Sequence, residues 1–185
     1  MSHPTPWSHI LRLSDLGHRR ETAFDLVPDT VAMAELASDL GIDAVRKLRF
    51  RGTLTPQGRH DWALSAHLGA TVVQPCVVTL APVTTRIDAT VTRRYLADMA
   101  LPDTAGEVEM PEDDTAEPLS ATLDLGNVMA EALALNVPDF PRAPGVELGE
   151  AVFAAPGTAP LRDEDTRPFA GLAGLRAALD NDTDT

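Results

Sequence analysis

Between Val45 and Tyr95, apolar and polar positions alternate with a period of two. Leu48, Phe50, Gly52 and Leu54 alternate with Lys47, Arg49, Arg51 and Thr53, the pattern of a half-buried strand. Thr55-Pro-Gln-Gly-Arg59 has turn chemistry. Trp62, Leu64, Ala66 and Leu68 then share one face of a returning strand over 62–73, which Pro75 ends. Val83, Thr85, Ile87, Ala89 and Val91 mark a third strand over 83–95. Such short connections imply an antiparallel meander. Upstream, residues 7–13 read as a first strand and 23–27 as a short second one.

The period changes to that of a helix in two places. Asp29 is a natural N-cap; Met33, Leu36, Ala37 and Leu40 follow on one face, and Gly41 is the stop. Asp124 caps the second, in which Leu125, Val128, Met129, Ala132 and Leu133 share a face and Pro138 prevents continuation. Leu125, Met129 and Leu133 are expected to be buried against the sheet. The predicted fold class is α+β. A curved antiparallel sheet, from strands near 7–13, 45–55, 62–73 and 83–95, goes with two or three helices: those at 29–40 and 125–136 pack against it, and a short third is expected at 169–179. Long strands and few helices point to a barrel-like, partly closed sheet. Residues 1–138 form one domain with an acidic mobile loop at 98–118. Residues 139–185 are a Pro/Gly-rich linker, a short helix begun by Pro168, and an acidic tail.

Charge adds an asymmetry. The 185 residues carry a formal net charge of −13. Residues 1–94 hold 11 Lys/Arg and 9 Asp/Glu, whereas residues 95–185 hold 4 and 19. Long-range repulsion of polyanions results, and a basic protein partner is favoured over RNA. Lys47, Arg49 and Arg51 are the exception. Strict alternation places all three on one strand face, about 7 Å apart at each step, where they can meet phosphates or simply face water. The mean hydropathy is −0.07 and no apolar run approaches ~18 residues, so no membrane span is expected. The first ten residues lack a signal pattern, and one cysteine suits a reducing compartment, so a cytoplasmic location is expected.

Catalytic chemistry is not signalled. The sequence has no phosphate-cradling glycine loop and no Gly-x-Ser-x-Gly elbow, and its five histidines form no helical pair. Cys76 lies among Val72, Val73, Val77 and Val78, an apolar setting that should raise its pKa and leave it packed and inert. No catalytic residue, metal, cofactor or small-molecule substrate is expected. A metal-dependent hydrolase or nuclease using paired carboxylates is the remaining enzymatic alternative, and the irregular acid spacing in 98–118 speaks against it. Phe169, Leu172 and Leu175 give the last predicted helix an apolar face suited to docking on a partner.

Three segments in order carry a resemblance. They are Cys76-Val-Val-Thr-Leu-Ala-Pro82, Leu123-Asp-Leu-Gly-Asn-Val-Met-Ala-Glu-Ala-Leu-Ala-Leu-Asn-Val-Pro138, and Arg167-Pro-Phe-Ala-Gly-Leu-Ala-Gly-Leu-Arg176. Together they resemble the YceD family of large ribosomal RNA subunit accumulation proteins. The corresponding motif positions are Cys76, Pro82, Asp124, Leu125, Glu131, Leu133, Pro138 and Pro168, read as structural. Thr79 stands where the family usually has the second cysteine of Cys-x-x-Cys, so one thiolate is too few for a metal clip. The resemblance implies a bacterial factor in 23S rRNA synthesis, processing or stability, hence ribosome biogenesis. Its implied partners are a large-subunit precursor, a ribosomal protein or the 23S rRNA itself.

Overall fold

The computed structural model describes residues 5–17, 20–99 and 115–147, with positions 154 and 157. The chain divides into two compact units, 1–145 and 146–185, and every strand and helix described belongs to the first. The expected docking helix with Phe169, Leu172 and Leu175, and Pro168 before it, lie outside the described residues, as does 100–114 of the expected acidic loop.

In chain order the elements are β1 (Ile10–Arg12), β2 (Thr22–Leu26), α1 (Thr30–Asp39), β3 (Ala44–Gln57), β4 (Asp61–Pro75), β5 (Pro82–Leu96), β6 (Ala116–Pro118), β7 (Thr122–Asp124) and α2 (Leu125–Asn136). The fold is α+β. The main sheet has five strands in the order β2-β3-β4-β5-β6. Its neighbours are antiparallel except β5 and β6, which run parallel. The expected partial barrel is not formed: β2 and β6 remain the two edges of an open sheet. A three-residue β6 and a five-residue β2 offer too little ladder to meet each other and close it.

Two further expectations change. The strand foreseen at 7–13 shrinks to Ile10–Arg12 and leaves the main sheet, pairing instead with β7. Three paired residues suffice to tie the N-terminal segment to the start of α2. The loop foreseen through 118 ends earlier, because Ala116–Pro118 add a strand beside Arg94–Leu96.

One face of the sheet is the core. Leu48, Phe50 and Leu54 from β3, Leu64, Leu68 and Val72 from β4, and Ile87, Val91 and Tyr95 from β5 are all buried. α1 lies against β3, and α2 against β4, β5 and β1. Leu125, Met129 and Leu133 of α2 are fully buried, as its helical pattern predicts. Caps fix both helix starts: Asp29 accepts from the Ala32 amide at 2.8 Å, and Asp124 accepts from Gly126 at 2.9 Å. At Gly52 a Cβ would stand 2.3 Å from the Ser65 carbonyl oxygen, so β3 and β4 can approach this closely only at a glycine.

Candidate functional site

The face of the sheet opposite the core is polar. Register gives its cross-strand rows. Arg46, Thr71 and Arg86 form one; Arg49, Gly69 and Asp88 the next; then Arg51, His67 and Thr90, with Asp25 of β2 opposite Arg51. Thr53, Ser65 and Thr92 follow, then Thr55, Ala63 and Arg94, with Gln57 opposite Asp61 at that end. Asp25, Arg51, Thr53, Ser65, His67 and Thr90 help to line an open depression of about 510 Å³.

The Lys47, Arg49, Arg51 ladder is not regular. The β3–β4 register shifts between Arg46 and Arg49, and Lys47 has a left-handed backbone with φ 52°. This is a β-bulge. It lets Val45 and Leu48, which have opposite parity, both face the core, and it leaves Arg46 and Lys47 exposed side by side. Arg46 therefore takes the outer-face register position, and Lys47 is the bulge residue beyond the ladder. Continuous alternation could not have revealed this, because one extra residue inverts every parity before it.

Arg49 does not stand free. It makes a two-pronged ion pair with Asp25, its Nε donating to Oδ1 at 2.7 Å. That guanidinium holds the Asp25 carboxyl below the usual carboxylate range, despite some desolvation. Arg86 repeats the arrangement with Asp88, at 2.9 and 2.7 Å, and lowers that carboxyl too. Arg46, Lys47 and Arg51 make no ion pair with other described residues. Six cations (Arg46, Lys47, Arg49, Arg51, Arg86 and Arg94) thus occupy the outer face and its bulge, with the carboxylates of Asp25 and Asp88 among them and Asp61 at the start of β4 in the same parity. Reading β3 alone missed Arg46, Arg86 and Arg94; the alternation of β5 was the available signal for the last two.

Cys76 occupies the loop between β4 and β5, fully buried. Its Sγ accepts from the Thr79 hydroxyl and from the amides of Val78, Thr79 and Ala143, the last at 3.4 Å. The expected upward pKa shift is reversed. The Thr79 hydroxyl first, then the three amides, lower the thiol to about 6 against the opposing effect of burial. Apolar neighbours in sequence do not reveal the donors that a turn aims at its own sulfur. The chain after α2 seals this loop: the Val77 amide donates to the Pro141 carbonyl at 3.0 Å, and Gln74 Nε2 to that of Pro138 at 2.9 Å. Pro82 starts β5 opposite Pro75. Among the described residues no group of three or more His, Cys, Asp or Glu could hold a metal.

The match to known proteins falls on this part of the chain. The family described as large ribosomal RNA subunit accumulation protein YceD matches residues 64–176, more than half of the sequence. The chain belongs to the YceD family. No curated protein and no solved structure matches it. The matched span takes in most of β4 and all of β5, β6, β7 and α2, and leaves out β3 with its cations.

Within that span the motif residues have structural partners. The Asp124 carboxylate accepts from the Ser8 hydroxyl at 2.5 Å and the His9 amide at 2.8 Å, besides the α2 amides. Burial opposes its charge, and these donors outweigh burial and lower its pKa. At Gly126 a Cβ would lie 1.9 Å from the Trp7 carbonyl oxygen, so this glycine admits the N-terminal segment. Glu131 receives Arg93 at 3.0 Å, while Arg93 Nε meets Glu117 at 2.8 Å. One largely buried guanidinium thereby joins β5, β6 and α2. No helix among the described residues is long and apolar enough to cross a membrane.

Proposed function

We propose that the protein is a non-enzymatic factor in 23S rRNA synthesis, processing or stability, acting by docking on a precursor of the large ribosomal subunit. The family supplies the connection to large-subunit rRNA accumulation. The observation that carries the docking step is the concentration of six cations on one polar sheet face and its bulge, in a chain whose net charge is −13. In this reading the protein acts in the cytoplasm, makes and breaks no bond, and needs no cofactor or small-molecule substrate. A second reading keeps the precursor and changes the contact: the 19 acids of residues 95–185 hold a basic ribosomal protein.

Depletion of the protein from cells tests the function. The ratio of 23S to 16S rRNA is expected to fall and to recover when the protein is restored. In gradients of lysed cells the protein is expected to travel with large-subunit precursors. An unchanged ratio after depletion overturns the proposal, as does shortening of precursor RNA by the purified protein alone.

A further inference from the structure

We propose that the outer face of the sheet is a two-rail trough for the phosphate backbone of double-stranded, folded RNA. The inference rests on the docking function above and names what is docked.

The trough follows from side-chain length across three adjacent strands. β3 carries Arg46, Arg49 and Arg51 on this face, with Lys47 at the bulge, and β5 carries Arg86 and Arg94. Between them the outer positions of β4 are Thr71, Gly69, His67, Ser65 and Ala63, none as long as an arginine. Two strand spacings set the rails about 10 Å apart. The Arg86 guanidinium reaches inward from its rail over Gly69, where a Cβ would stand 2.7 Å from its nitrogen, so the absence of a side chain at Gly69 lets this cation lie along the floor.

The chemistry selects a phosphate backbone over bases. The outer positions of β3, β4 and β5 hold no Phe, Tyr or Trp, so they offer no platform on which unpaired bases could stack. What they hold besides cations is a field of hydroxyls, from Thr53, Ser65, Thr90 and Thr92. Such groups suit phosphate oxygens and the 2′-hydroxyls displayed by an RNA duplex. The Arg49–Asp25 and Arg86–Asp88 pairs have side chains about half exposed. Exposed pairs of this kind are weak, so a phosphate can take over either guanidinium. Asp25 and Asp88 remain as repelling charges, which lowers affinity for polyanions that do not fit the rails.

The experiment measures binding of the full chain to an RNA hairpin with a stem of about 16 base pairs, as a function of salt. A single-stranded RNA of equal length and a DNA hairpin are the comparison probes. The variant Arg46→Ala/Arg51→Ala/Arg86→Ala removes charge from both rails. Arg12→Ala/Arg59→Ala/Arg142→Ala makes the same charge change at exposed positions off the face. The rail variant is expected to bind the RNA hairpin at least tenfold more weakly, with a salt slope smaller by about 2 to 3 units. The off-face variant should stay within about twofold of the parent. Arg46→Lys/Arg51→Lys/Arg86→Lys keeps the charges and should retain most of the affinity, which separates lost contact from lost folding.

Equal losses in the two alanine variants would overturn the trough, as would an unchanged rail variant or tighter binding of either comparison probe. In depleted cells the rail variant should fail to restore the 23S ratio. If it restores the ratio and still carries large-subunit proteins after RNase treatment, the trough is overturned and a ribosomal protein is the contact. An unchanged ratio on depletion overturns the docking function itself, whatever the RNA affinity.

Discussion

His67 and Leu68 are neighbours in sequence and opposites in environment. His67 stands exposed in a row of Asp25, Arg51 and Thr90, while Leu68 is fully buried opposite Phe50. The two faces of this sheet therefore separate two tasks. The inner face holds the fold through apolar burial, which is tightly packed and responds to every methylene. The outer face holds its charges in exposed pairs that contribute little to stability. Substitution on one face should unfold the protein, and substitution on the other should leave the fold intact and change what it binds.

The inner face should give the greatest loss. Leu133→Ala removes a fully buried side chain of α2 and should destabilise the protein by about 2–5 kcal/mol, measured by denaturant unfolding. A loss below about 1 kcal/mol would mean that the core collapses around the gap, and the contrast between faces would weaken.

Cys76 falls between the two faces in character, because it is a buried group treated as a charge. Its thiol pKa is lowered to about 6 from an unfolded value of about 8.5. A group depressed in the folded state stabilises above its unfolded pKa and loses that contribution as pH falls through the folded pKa. Thermal stability should therefore decline on acidification between about pH 9 and pH 6, and Cys76→Ser should flatten this part of the profile. Parallel profiles for the two proteins would show that the sulfur is an ordinary buried thiol. The Thr79 hydroxyl is the first cause of the shift, so Thr79→Val should raise the midpoint of thiol titration.

Least should change on the outer face. Arg49→Ala breaks the exposed pair with Asp25 and should leave the melting temperature within experimental error. A clear drop would make that pair part of the scaffold and remove it from the set of exchangeable contacts.

Both helix faces and the three long strands were legible in the sequence, because each period repeats over many residues and each element buries its own side. Asp29 and Asp124 were legible as caps for a local reason: the amides they receive lie two or three residues away. β6 was not legible, since three residues carry no period and their pairing depends on Arg94–Leu96. The basic face was legible in part. Arg49 and Arg51 follow from parity, whereas Arg46 was hidden by the bulge and Arg86 by its distance along the chain.

Residue order alone was enough for the α+β class, the meander, the inward set of Leu125, Met129 and Leu133, and the family. Periodicity and short motifs are local, and they persist whatever the chain packs against. Folding in three dimensions was needed to establish that the sheet stays open, that Lys47 sits in a bulge, that Asp25 neutralises Arg49, and that four donors converge on the Cys76 sulfur. Each of those depends on groups brought together across a strand or a turn. Charge pairing and thiol acidity fall off over a few ångströms, so spacing along the chain says little about them until the chain has folded.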